Sequence, residues 1–140
     1  MRWVAAVAMA AAVAGCGRRT PSVENAWVRL PAVPGRPAAA YLTIAGGEKN
    51  ATLVAVTSPA AGRAELHESM ANGMRAIANV AVPARGTLAF APSGRHVMLF
   101  DLDGAARAGG TMTLRVAFAD GTAVTTDAKV VAAGVPAPSR

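Results

Sequence analysis

Beyond position 16 the chain holds two histidines and four methionines, and five of these six fall between positions 67 and 98: His67, Met70, Met74, His96 and Met98. No thiol accompanies them, because the single cysteine of the sequence is Cys16. Thioethers and imidazoles suit cuprous copper, whereas hard cations prefer oxygen donors. The cluster therefore reads as a copper module, with Cu(I) as the natural ion.

The spacing adds to the composition. His96-Val97-Met98 alternates on an expected strand, so His96 and Met98 share a face and Val97 faces the other way. Their Cα atoms should lie ~6.6 Å apart at ~3.3 Å per residue, within reach of one ion. His67 and Met74 flank the turn-forming segment Met70-Ala71-Asn72-Gly73. Two registers are open. A turn centred between Met70 and Ala71 sets His67 directly opposite Met74. A two-residue Asn72-Gly73 turn pairs Ala71 with Met74 instead and draws His67 away. Each residue also has a plainer reading alone: a methionine as core filler, a histidine as an ordinary polar residue. Together, His67, Met74, His96 and Met98 form the expected ligand set. Met70, at the turn, is a possible extra ligand, and Met112 is core. Glu65 shares the His67 face and can orient its ring, although a solvated role is the simpler assignment.

These donors need rigid elements behind them. Short apolar runs punctuated by Gly, Pro and Asn predict strands at residues 26–30, 38–45, 52–57, 63–69, 74–82, 87–91, 95–102, 111–120 and 123–131. Helical periodicity is nearly absent, so the fold class is all-β, an antiparallel sandwich or barrel. Short helical turns are conceivable at residues 38–40 and 105–106. At 140 residues there is room for one domain, expected over residues 23–131 with a loose tail at 132–140.

The N-terminus reads as an export signal over residues 1–15. Arg2 supplies the positive charge, and residues 4–13 form an apolar run too short to span a bilayer. Val13-Ala14-Gly15-Cys16 resembles a bacterial lipobox, which implies cleavage before Cys16, its acylation, and a tether over residues 16–22. An ordinary signal peptide with an incidental cysteine is the alternative. Acylation would remove the only thiol and anchor the chain to a membrane facing an extracytoplasmic or periplasmic space.

Loss of Arg2 lowers the formal charge from +6 to +5. The basic residues are mostly scattered, with no stacking aromatics, so nucleic-acid binding is not expected. A mild positive charge beside a lipid anchor suits an anionic bilayer. No Gly-x-Ser-x-Gly or triad pattern is present, and an enzyme is not expected.

At its ligand residues the chain resembles the PCu(A)C family of periplasmic copper chaperones. That family's pattern is His, ten residues, Met, twenty-one residues, then His-x-Met. Here twenty-one residues separate Met74 from His96, and Met98 completes His-x-Met. The segments Ala26-Trp27-Val28-Arg29, Ala39-Ala40-Tyr41-Leu42-Thr43-Ile44, Ala64-Glu65-Leu66-His67-Glu68 and Pro92-Ser93-Gly94-Arg95-His96-Val97-Met98-Leu99 are similar too. One departure stands out: His67 and Met74 enclose six residues, not ten. Removing two residues from each hairpin arm preserves facing, so ligation can survive while the loop changes shape.

The resemblance implies a cupredoxin-like Greek-key β-sandwich. It also implies a lipoprotein copper chaperone that passes Cu(I) to a copper-accepting protein, such as the cytochrome c oxidase copper centre or another chaperone. The competing reading is a β-sandwich lipoprotein without metal, serving as a structural or protein-binding module.

Overall fold

A computed structural model describes residues 20–139. The expected signal peptide and Cys16 lie outside the described residues. Ten strands follow one another: β1 (Ser22–Arg29), β2 (Ala38–Ala45), β3 (Ala51–Thr57), β4 (Ala61–Met70), β5 (Gly73–Ala76), β6 (Val80–Val82), β7 (Thr87–Phe90), β8 (Arg95–Leu102), β9 (Thr111–Phe118) and β10 (Ala123–Val131). No helix occurs among the described residues. Ala38-Ala39-Ala40 is strand rather than helical turn, because pairing with β1 and β8 on either side overrides the helical preference of alanine.

Hydrogen bonding runs in the order β5-β4-β8-β2-β1-β10-β9-β3-β6, with β7 also paired to β2. Spatial neighbours are mostly not sequence neighbours, which is Greek-key connectivity. Every pairing is antiparallel except β1 with β10, where Trp27 and Lys129 are partners. The ribbon folds over on itself and encloses a core that includes Val28, Leu42, Ile44, Leu53, Val97, Leu99, Leu114 and Val116.

The expected strand at 74–82 is two strands. β5 stays with β4, whereas β6 pairs with β3. Ile77 N–H still donates to Leu66 O at 2.9 Å. The chain then leaves through Ala78 and Asn79 and joins the other layer, where Val80 and Val82 enter the core. A continuous apolar–polar alternation does not reveal that change of partner.

Residues 132–139 are almost wholly exposed and meet the body at two points. The Arg29 Nη2 donates to Val135 O at 3.0 Å, and the Lys129 Nζ donates to Ser139 O at 3.3 Å. Ala137, Pro138 and Ser139 border a surface cavity of about 490 Å³ together with Trp27, Phe90 and Lys129. Asn25, in the left-handed region at φ +53°, marks a register break between β1 and β2 that aims Trp27 onto Tyr41, with ring centroids 4.5 Å apart.

Candidate metal centre

β4 and β8 are direct neighbours, and their register decides the site. His67 pairs with His96, and Glu65 pairs with Met98. Side chains two apart on a strand share a face, so these four residues project from one side of the pair. That side is the outer one. Leu66, Val97 and Leu99 point the other way into the core. Rigid packing behind the site and donors in front follow from one alternation.

The β4–β5 hairpin takes neither register considered from sequence. Ser69 pairs with Met74, Met70 with Gly73, and His67 with Ala76. The turn is Ala71-Asn72, and Gly73 at φ +128° takes the backbone shape that a side chain would strain. The offset from the first register is two residues on the partner strand. Facing is therefore preserved, and Met74 stays on the His67 side as a diagonal neighbour. The same alternation puts Met70 on the opposite side, with Leu66 and Glu68. Exposed at the hairpin tip, Met70 does not join the group.

The donor atoms are oriented. The His96 ring is buried, and its Nδ1–H donates to the Gly94 carbonyl at 3.1 Å. In a neutral ring that leaves Nε2 with a bare lone pair. The Met74 Sδ lies 3.1 Å from that nitrogen. Neither atom then has a proton to give the other, so the contact is two electron-pair donors side by side. An ion bound at ~2.0–2.3 Å to each holds nitrogen and sulfur about 3–3.5 Å apart. The thioether is otherwise exposed, 58% for Met74 as a residue.

His67 is held differently. Its Nε2–H donates to Glu65 Oε2 at 2.9 Å. Its Nδ1 is buried and has no hydrogen-bond partner. A buried polar atom without a partner costs ~1–3 kcal/mol, so its presence points to a ligand. The two ring centroids lie 5.8 Å apart. An imidazole bound at ~2.0 Å has its centroid roughly 3.2 Å from the ion. Two rings sharing one ion can therefore stand up to about 6.4 Å apart, and this pair fits.

Sequence reasoning missed Arg63. Its guanidinium lies 4.0 Å from the Phe100 ring centroid and pairs with Glu65 Oε1. The signal was present in the alternation Arg63-x-Glu65-x-His67 on one strand. The hydrogen bond from His67 holds the Glu65 carboxyl below the usual carboxylate range; desolvation opposes it, and the Arg63 charge adds a smaller lowering effect. Among the described residues no three His, Cys, Asp or Glu side chains converge as ligands. On the same face as the imidazoles stand two thioethers, Met74 and the half-buried Met98, and a set of that chemistry would favour a soft cation.

A family model described as "Putative lipoprotein LpqE-like" matches residues 22–130. The protein named "Putative lipoprotein Lxx21020" from Leifsonia xyli subsp. xyli (strain CTCB07) is 36% identical over 104 residues, which is 71% of this chain. The chain spans 62% of that relative's length. Among solved structures, the apo PCuAC domain from PmoF1 superposes with a TM-score of 0.69 at 28% identity, over 82% of this chain and 96% of that one. The solution structure of CuI-DR1885 from Deinococcus radiodurans gives 0.63 at 28% identity, over 84% and 83%. The copper-bound PCuAC domain from PmoF2 gives 0.70 at 22% identity, over 82% and 95%, a likeness of fold.

Proposed function

The chain belongs to the LpqE-like lipoprotein family, which is of PCuAC type, and from that premise we propose that it is a membrane-anchored extracytoplasmic carrier of Cu(I). The cargo ion is held by His67, Met74, His96 and Met98, and Cys16 is the acylated anchor. The observation that carries this reading is the pairing of His96 Nε2 with Met74 Sδ at 3.1 Å, with the other ring nitrogen already committed to Gly94 O. The named copper content of the PmoF2 domain and of DR1885 supports the same cargo.

The chemistry suits transport. Cu(I) binds soft sulfur and imidazole well. Thioethers do not titrate and cannot be lost to disulfides, so the site works in an oxidising compartment. His67, His96 and Met98 stand on strands paired on both sides, whereas Met74 stands on edge strand β5. Met74 is thus the ligand most easily displaced. A recipient donor replaces that thioether first, and the ion passes by successive exchange without becoming free. The cytochrome c oxidase copper centre is one such recipient.

Titration of the wild-type chain with Cu(I) against a chromophoric chelator tests this reading. One Cu(I) per chain is expected, with X-ray absorption counting two nitrogen and two sulfur neighbours. His96→Ala should weaken binding at least ~10-fold, equivalent to ~1.4 kcal/mol. A wild-type chain that does not compete with the chelator refutes it.

A further inference from the structure

We infer that the two imidazoles present opposite ring nitrogens to the same ion, His67 through Nδ1 and His96 through Nε2, and that Glu65, braced by Arg63, is the positioning residue that fixes this for His67. The ion in this statement rests on the copper-carrying reading above. The proton positions belong to the metal-free chain and stand apart from it.

A neutral imidazole carries one proton, and its tautomer is set by whichever nitrogen has an acceptor. Both rings find their acceptor two residues back in the chain, His67 on β4 itself and His96 in the turn that leads into β8. For His96 it is the Gly94 carbonyl, a backbone atom close to the strand. Such an atom meets the near side of the ring, Nδ1. For His67 it is the Glu65 carboxylate, a side chain standing off the same face. That group reaches the far side of the ring, Nε2. Carbonyl and carboxylate oxygens only accept, so the protons sit on opposite nitrogens. The free lone pairs are then Nδ1 of His67, which is buried and unpartnered, and Nε2 of His96, which lies against Met74 Sδ.

Glu65 is itself held. Its Oε1 takes Arg63 and its Oε2 takes His67. Arg63 is fixed over the Phe100 ring, where the ring face attracts a cation. Residues 63, 65 and 67 thus form a line along one strand face in which cation orients carboxylate and carboxylate orients imidazole. Removing such a partner of a ligating histidine weakens metal binding ~10–100-fold.

The test is long-range proton–nitrogen NMR on the full chain labelled with 15N-histidine, where only two rings report. The metal-free chain should show His67 protonated at Nε2 and His96 at Nδ1. Cu(I) should then move the nitrogen shifts of His67 Nδ1 and His96 Nε2 most. Glu65→Ala should bind Cu(I) ~10–100-fold more weakly, with unchanged melting. Glu65→Gln keeps an acceptor oxygen and should stay close to wild type. Like tautomers in the two rings would overturn the inference, as would wild-type affinity in Glu65→Ala or equal weakness in Glu65→Gln. A wild-type chain that binds no Cu(I) would remove the carrier reading and the ion half of this inference. Normal Cu(I) binding with like tautomers would remove only the assignment made here.

Discussion

Two adjacent residues of β8 offer a sharp test, because one faces the core and the next faces the site. Leu99 is fully buried and Met98 is half-buried on the outer face. Leu99→Ala deletes three carbons, worth ~2.4 kcal/mol at ~0.8 kcal/mol per buried methylene. The void left in a well-packed interior adds about 1 kcal/mol at ~24 cal/mol per Å³. The sum, about 3–4 kcal/mol, should lower the melting temperature by roughly 10–15 °C in a domain of this size. Met98→Ala empties no core space and should cost less than about 1 kcal/mol. Copper binding should invert the order. Met98→Ala should lose at least ~10-fold in Cu(I) affinity, or ~1.4 kcal/mol, whereas Leu99→Ala at low temperature should stay within about 3-fold. Thermal melts of the metal-free variants and chelator competition at 10 °C read the two quantities separately. Equal destabilisation by the two variants, or equal loss of copper, would refute the division of β8 into a structural face and a binding face.

Other expectations follow from particular contacts. Gly46→Ala should destabilise by ~1–3 kcal/mol, read by urea denaturation, because a Cβ there would lie 2.1 Å from the Pro83 carbonyl oxygen. Deleting the residues after Val131 removes the bonds from Arg29 and Lys129 to the tail. Trp27, the only tryptophan beyond position 3, should then emit at longer wavelength. Asp120 has its pKa lowered by the Thr122 hydroxyl and next by the Thr122 N–H. The depressed value means that its stabilising contribution is present above the unfolded pKa of ~3.9 and is lost as pH falls through the folded value. Thr122→Ala should raise the Asp120 pKa in a carboxyl NMR titration and reduce the acid-side slope of stability.

Much of this was legible in the sequence because β-alternation is strict. His-x-Met on β8 had to share a face, and Val97 between them had to turn inward. The strands from residue 38 to 45 and from 95 to 102 carry bounds that punctuation by Pro and Gly sets well. The hairpin was harder. Asn72-Gly73 satisfies the usual turn preference, yet the chain turns one residue earlier, at Ala71-Asn72, with Gly73 opening β5. Local preference names a turn but not its register, which also depends on how β4 pairs with β8. The split at Ala78-Asn79 was hidden for a similar reason. Both halves of the expected strand are apolar enough to pair, and only the position of β3 decides that Val80 leaves. The bond from His67 to Glu65 was visible as a shared face. Its proton assignment depends on which ring nitrogen meets the carboxylate, a matter of side-chain orientation that alternation does not specify.

The outer-face placement of His67, His96 and Met98 has an evolutionary consequence. Each is flanked along its strand by residues that maintain the interior, so mutation can alter the donor list while the scaffold keeps its shape. On the copper-carrier reading, substitutions at these three positions should therefore alter metal preference without first costing stability. Resemblance of backbone is thus a durable inheritance here, and the identity of a few outward side chains is the perishable part.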